Sequence, residues 1–345
     1  MIDNHSTDGS QAYFKDRFRE VRFVWKTSNN GFARACNEGW KMASGEYILF
    51  LNPDTLLPEN GLELSLAFMQ QHPDAGAMGV KMIDGSGCYL PESKRGFPGA
   101  WASFCKMAGL TRLFPQSRFF ARYYLGHLSH TASHPADVLS GACMLVRRSI
   151  LEQTGGFDES FFMYAEDIDL SFRIQQAGFR NYYFAGTTIL HFKGESTVKQ
   201  SPSYIRHFYG TMIQFVEKHY RGISRHLYIL LLRGMIAAKL QLVSQRTTEQ
   251  VVHQKEKCYV LGLPESEPLL HALLARYFSA AVPVSDLSAV PAGSVVLLCE
   301  PGCSFDDILR LMEMHPARYR YCLHSSCAAA IIGSAERGEQ GLVMV

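Results

Sequence analysis

Glu46-Tyr47-Ile48-Leu49-Phe50-Leu51 is a nearly unbroken apolar run that stops at Asn52-Pro53-Asp54, and no other segment constrains the fold as much. An apolar run of strand length, without polar alternation, is the pattern of a strand covered on both faces. Pro53 has no N–H to give to a ladder, so the strand ends there. Asp54 then sits on a rigid base at the strand's carboxyl end. Before the run, Phe32 to Met42 has helical spacing and Ser44-Gly45 supplies a left-handed stop. After it, Glu59 to His72 reads as the next helix.

The same alternation continues. Ile2-Asp3 reads as the end of a strand entering a polar loop, and Glu20 to Trp25, Ala77 to Ile83 and Val138 to Val146 read as strands. Asn181 to Phe184 and Thr188 to His191 read as two short strands, while residues 84–135 carry no period. So long an irregular stretch in a compact domain marks function or mobility. Strands alternating with helices predict an α/β fold with a mainly parallel sheet over residues 1–200. Ligands in such sheets bind beyond the strands' carboxyl ends, so Asp3-Asn4 and Asn52-Pro53-Asp54 should share one crevice. Residues 201–255 read as a helical segment with a polar linker, and residues 256–345 as a smaller Rossmann-like α/β domain.

Composition excludes several classes. Lys and Arg number 34 against 32 Asp and Glu, a net charge of +2 that gives no reason to expect a nucleic-acid partner. The nine cysteines are scattered without paired CxxC spacing, which argues against a zinc site and suits a reducing cytoplasm. The most apolar helix, Leu227 to Val243, is broken by Arg233, Lys239 and Gln241, short of the ~20 apolar residues of a membrane span. Lys218, His219, Arg221, Arg225 and His226 precede it. That basic flank fits contact with an anionic membrane surface, against the plainer reading of a helix packed on its own domain.

Chemistry concentrates at Gly155 to Leu170, where Glu166, Asp167 and Asp169 fall within four residues as a helical pattern begins. A helix start favours negative charge, and a carboxylate there can take a proton from an incoming hydroxyl. The plain alternative is an acidic first turn with Asp169 and Arg173 paired at i,i+4. Asp54 can help hold a hard divalent cation such as Mg²⁺ or Mn²⁺ together with substrate phosphates. Its plain alternative is that Asn-Pro-Asp-Thr is simply a turn.

Six segments together resemble the family 2 glycosyltransferases of GT-A fold, in their rhamnosyltransferase-like branch. They are Asp3 to Ser10, Asn29 to Gly39, Leu51 to Thr55, Ser140 to Ala142, Gly155 to Leu170 and His191 to Ser196, in family order. The resemblance implies that Asp3, Asn4, Asn30, Gly31, Asn52 and Asp54 bind the nucleotide sugar and that Ser140 and Gly141 wall the acceptor side. It implies Asp167 as general base, with Glu166 as second candidate, and Asp54 with His191 at the metal, Mg²⁺ or Mn²⁺. His191 has the plain alternative of a structural histidine at a strand end. Asn52 stands where the family's DxD motif has its first Asp, which implies weaker metal affinity.

The expected reaction is an inverting single displacement. It moves a sugar such as rhamnose from a nucleotide-diphosphate donor to a glycan or lipid-linked acceptor in cell-surface polysaccharide synthesis. The expected location is the cytoplasm, in peripheral contact with the inner membrane. Trp101 and Lys94-Arg95 lie where an acceptor loop would be but read as ordinary loop composition. The family opens with a further strand, loop and helix before the Asp3 position, so the sequence reads as N-terminally truncated. That leaves a second expectation, a non-catalytic remnant that binds nucleotide sugar or serves as a scaffold.

Overall fold

The computed structural model describes residues 1–345 except 16, 193–201, 244–255, 265–266, 329, 334–341 and 345. The expected segment Lys193 to Ser196 and most of the polar linker therefore lie outside the described residues.

The chain opens with β1 (Ile2–Asp3), α1 (Ser10–Phe14), β2 (Val24–Trp25), α2 (Phe32–Met42) and β3 (Tyr47–Leu51). Next come β4 (Thr55–Leu56), α3 (Gly61–Gln71), β5 (Ala75–Ile83), β6 (Lys94–Arg95), α4 (Ala100–Met107) and α5 (Leu110–Leu113). β7 (His134–Pro135), β8 (Val138–Leu139), β9 (Cys143–Arg147), α6 (Arg148–Thr154), α7 (Glu166–Gln176) and β10 (Arg180–His191) follow.

β3, β9, β5, β10 and β4 form the central sheet in that order, with β7 on β10. Side chains alternate across it. Ala77, Met144, Val146 and Tyr183 meet Trp40, Ile150, Leu151, Leu170 and Ile174 from α2, α6 and α7 on one face. Met78, Val80, Leu145 and Tyr182 meet Phe68 and Met69 of α3 on the other. The sheet is thus buried between helices, as an α/β fold requires.

Strand direction differs from the expectation of a mainly parallel sheet. Only β5 and β10 run parallel in it; β9 is antiparallel to both β3 and β5, and β4 is antiparallel to β10. The reason is the connection. β5 reaches β9 through the long excursion of residues 84–142 rather than through one crossover helix, so no βαβ unit fixes the direction. β3 proves an edge strand, with Ile48 and Phe50 buried but Leu51 exposed. β1 and β2 pair in parallel as a separate two-stranded sheet.

α8 (Pro202–His219) and α9 (Ile223–Val243) do not stand apart. Phe215, Val216, Tyr228 and Leu232 pack with Phe161 and Ile168 around the head of α7. The C-terminal unit comprises β11 (Lys257–Leu261), α10 (Pro268–Tyr277), β12 (Ala280–Val284), β13 (Val295–Cys299), α11 (Phe305–Met314), β14 (Arg320–Ser325), β15 (Ala330–Gly333) and β16 (Leu342–Met344). Its strands β12, β11, β13 and β14 are parallel, and β15 and β16 add antiparallel.

Candidate functional site

The Asp3-Asn4 loop is tied to the start of α2. Asn4 Nδ2 donates to Asn29 Oδ1 at 2.8 Å, and the Asn30 N–H donates to Asn4 Oδ1 at 3.1 Å. Asp3 Oδ1 accepts from the amides of His5 and Ser6, which folds its own loop. Gly31 has φ +88°, and a Cβ there would lie 2.7 Å from the Phe162 carbonyl oxygen. Only glycine lets α2 start this close to the loop before α7. Phe32 N–H donates to that same carbonyl at 2.9 Å.

α7 begins under strain. Tyr164 and Ala165, neither of them glycine, have φ 70° and 65°. Two left-handed residues in a row cost roughly 1–3 kcal/mol each and cluster at functional sites. They turn the chain so that Glu166 and Asp167 head the helix, against the loop of Ser140 and Gly141. Asp167 Oδ2 accepts from Arg95 Nη2 at 2.5 Å and from the Gly141 N–H at 3.2 Å. Its Oδ1 accepts from the Ile168 N–H at 2.8 Å and has a second lone pair to offer. Ser140 Oγ accepts from the Ala142 N–H at 3.3 Å and shapes that loop.

Glu166 is a different group. It is buried, and its Oε2 has no hydrogen-bond partner. Burial first, and the Asp167 charge second, push its pKa up to about 8, so it is mostly neutral at pH 7.

Arg95 is the residue that sequence reasoning passed over. It lies on β6, 72 positions before Asp167, and gives a second bond to the Leu139 carbonyl at 3.0 Å. Burial alone would lower its pKa; Asp167 and Tyr123 outweigh that and raise it. Behind it lies the buried Tyr123, itself beside Lys106. The available signal was compositional: residues 93–136 contain six Lys and Arg and no Asp or Glu. A buried cation in such a segment must find its carboxylate elsewhere in the chain.

β3 delivers the second half of the site. Asn52 N–H donates to the Ala142 carbonyl at 2.9 Å, so Asn52 adjoins the Gly141 loop. Thr55 Oγ1 donates back to the Asn52 carbonyl at 2.7 Å, which makes the turn that composition suggested. The turn is also part of the site, because Asp54 Oδ1 lies 3.3 Å from His191 Nε2 at the end of β10. Antiparallel pairing of Thr55 with His191 sets this approach. Asn52 Oδ1 and His191 Nδ1 are buried without hydrogen-bond partners.

These donors fit a hard divalent cation shared with a substrate. Among the described residues no group of three or more His, Cys, Asp or Glu could hold a metal ion. Asp54 and His191 could supply two ligands, with substrate phosphates and water as the rest. A Cβ on Gly141 would lie 3.5 Å from Asp167 Cβ and 3.8 Å from the Phe32 ring. Hydrogen bonds tie Asn4 to Asn30, Phe32 to the loop before α7, Gly141 to Asp167, and Asn52 to the Ala142 beside Gly141, and the Asn52–Thr55 turn leads on to Asp54 and His191.

A family model described as glycosyl transferase family 2 matches residues 1–155. The N-acetylglucosaminyl-diphospho-decaprenol L-rhamnosyltransferase of Mycobacterium tuberculosis is 30% identical over 268 residues, 74% of this chain and 86% of the relative. Rhamnosyltransferase WbbL of Escherichia coli is 30% identical over 168 residues, 48% of this chain and 59% of the relative. Among solved structures, a mannosyltransferase of Pyrobaculum calidifontis in complex with GDP-Man and Mn²⁺ superposes with a TM-score of 0.44 at 18% identity. That superposition covers 72% of this chain and 66% of the other.

Proposed function

Since this chain belongs to glycosyl transferase family 2 and is rhamnosyltransferase-like, we propose that it transfers rhamnose, with inversion, from a nucleotide-diphosphate donor. The acceptor is a hydroxyl of a glycan or lipid-linked glycan of the cell envelope, met on the cytoplasmic side of the membrane. Relatives that are rhamnosyltransferases, one of them named for a decaprenol-linked glycan, support this choice of donor and acceptor.

One observation carries the mechanism: the head of α7 presents one carboxylate fixed by an arginine and a backbone amide beside a second, buried carboxyl whose pKa burial pushes up to about 8. Arg95 and the Gly141 amide hold Asp167 by its Oδ2, which leaves Oδ1 to accept the acceptor's proton. The acceptor oxygen bonds to the anomeric carbon as the bond from that carbon to the diphosphate oxygen breaks. The proton goes to Asp167 and the nucleoside diphosphate departs with the electron pair. Glu166, whose pKa burial pushes up to about 8, holds its proton more tightly and is buried, which makes Asp167 the base in this reading. Asn4, Asn30 and Gly31 orient the nucleotide, and Asn52 the diphosphate. Asp54 and His191 would hold a divalent cation, which when bound supplies positive charge to the leaving diphosphate.

The test separates binding from chemistry. Asp54→Ala should abolish the Mn²⁺-dependent rise in melting temperature given by the correct nucleotide sugar. Asp167→Asn should keep that rise yet lower kcat by about 10²–10⁴-fold. Turnover retained in Asp167→Asn removes it as base. A donor-dependent shift in the wild type with no transfer to any acceptor would instead identify a binding module.

A further inference from the structure

Arg95 reaches Asp167 through one nitrogen. That Nη2 donates to Asp167 Oδ2 at 2.5 Å and to the Leu139 carbonyl at 3.0 Å, while Nε is buried without a partner. A guanidinium is a flat fork of donors, so a turn of its plane brings a different edge to the carboxylate. Something behind Arg95 must fix that plane.

Tyr123 stands there. It belongs to the short helical turn Arg122–Tyr124 and is 1% exposed. The Gly96 N–H, one residue past Arg95, donates to the Tyr123 carbonyl at 2.9 Å, which stitches this turn to β6. Lys106 of α4 holds the ring from one face, with Nζ 3.7 Å from its centroid, and lies 4.8 Å from the ring of Phe208 on α8. Residues 93–136 contain no Asp or Glu, so inside this segment the two cations can face only hydroxyls, carbonyls or rings. The Tyr123 hydroxyl serves both. Burial alone would raise its pKa; Lys106 first and Arg95 second outweigh that and lower it. Phe208 also guards the other approach to the base. Its ring lies 5.7 Å from that of Tyr164, the first of the two left-handed residues that turn the chain into α7.

We propose that Tyr123, steadied by Lys106, is a positioning residue for the transfer. It fixes the plane of Arg95, so that Nη2 meets Asp167 Oδ2 and Oδ1 stays turned toward the acceptor. The inference rests on the reading of Asp167 as base. The lock on Arg95, however, belongs to the free protein and is read without turnover.

The test uses the full chain with its arginines labelled by an NMR-active nitrogen isotope. The Arg95 Nε–H signal is identified by its loss in Arg95→Lys, and a buried, fixed guanidinium gives a sharp signal that exchanges slowly with solvent. Tyr123→Phe keeps the ring that Lys106 needs and removes only the hydroxyl, and should broaden or shift that signal. Lys106→Met keeps the hydroxyl and removes the charge behind it, and should move the signal in the same way by a smaller step. With the donor found for the wild type, Tyr123→Phe should lower kcat by about 10–100-fold and leave the donor KM unchanged, because it touches none of the proposed donor contacts. A lowered melting temperature with kcat intact is what a merely structural tyrosine gives, and it overturns the proposal. So does an Arg95 signal that neither variant moves. A signal that responds as expected in a chain that transfers no sugar would remove the enzyme reading and leave the lock on Arg95 standing.

Discussion

Glu166 and Asp167 are neighbours in sequence and opposites in environment. Asp167 is compensated by Arg95 and the Gly141 amide, whereas Glu166 Oε2 meets no donor. The consequence for stability has a definite sign. With a folded pKa raised from 4.5 to about 8, Glu166 keeps its proton in the native state where the unfolded chain has lost it. The native state then binds more protons, so stability is full below about pH 4.5 and falls as pH rises toward 8. Glu166→Gln removes this slope. The wild type should lose stability on the order of a few kcal/mol relative to Glu166→Gln between pH 5 and pH 8, read by urea unfolding at each pH. Parallel curves for the two proteins would show that Glu166 is ionised in the fold. The two carboxylates were legible in the sequence because a helix start is a local pattern, and Asp54 was legible because a proline ended its strand. Arg95 was not, since an ion pair across 72 positions leaves no local period to read.

Elements are tied together by a different carboxylate. Asp169 is fully buried on α7, and Arg173 Nε donates to its Oδ2 at 2.7 Å, the i,i+4 pair that spacing predicted. Its Oδ1 also accepts from Lys218 Nζ and lies against His219 Nε2, each at 2.6 Å. Both belong to the last turn of α8, so one carboxylate joins α7 to the helical pair behind it. Asp169→Ala would take the ion pair from Arg173 and leave Lys218 with Asp158 alone. The expected loss is about 3–5 kcal/mol, with faster amide hydrogen exchange in α8 than in the central sheet. Uniform loss of protection through every element would instead mean that α8 has no separate anchorage. The sequence showed α8 and α9 as helices but not where they pack, because basic residues before an apolar helix fit a membrane and a buried carboxylate equally well. Strand direction in the central sheet was hidden for a related reason. An apolar run reports burial, and burial is the same for a parallel and an antiparallel neighbour.

At the scale of the whole molecule, the C-terminal unit is fastened to the end of the sheet that carries Asp54 and His191. Leu56, Ile83, Leu190 and Phe192 from around that end pack into the same apolar cluster as Leu309, Met312 and Leu323. Glu59 accepts from the Phe305 N–H at 2.7 Å and from the Asp306 N–H at 3.1 Å, so a carboxylate before α3 caps α11. Glu313 pairs with Lys81 and accepts from Thr188. One close approach is at Gly87, where a Cβ would fall 2.2 Å from the Met312 carbonyl oxygen, a distance no carbon can hold. Gly87 also has φ +79°, so any side chain there disturbs both its own turn and the contact with α11. Gly87→Val should therefore separate the two units. One cooperative thermal transition should become two, as for domains that no longer share a core. The effect should reach the site, because Leu56 and Phe192 lie two residues and one residue from Asp54 and His191. Looser flanks should widen the 3.3 Å approach of His191 Nε2 to Asp54 Oδ1 and, under the proposed metal role, weaken Mn²⁺-dependent donor binding. Titration calorimetry with the donor found for the wild type reads that loss. Two transitions with unchanged donor affinity would make the C-terminal unit a passenger, and one transition would mean that the interface absorbs the added side chain. Weakened binding alongside two transitions would make it a structural wall of the donor site.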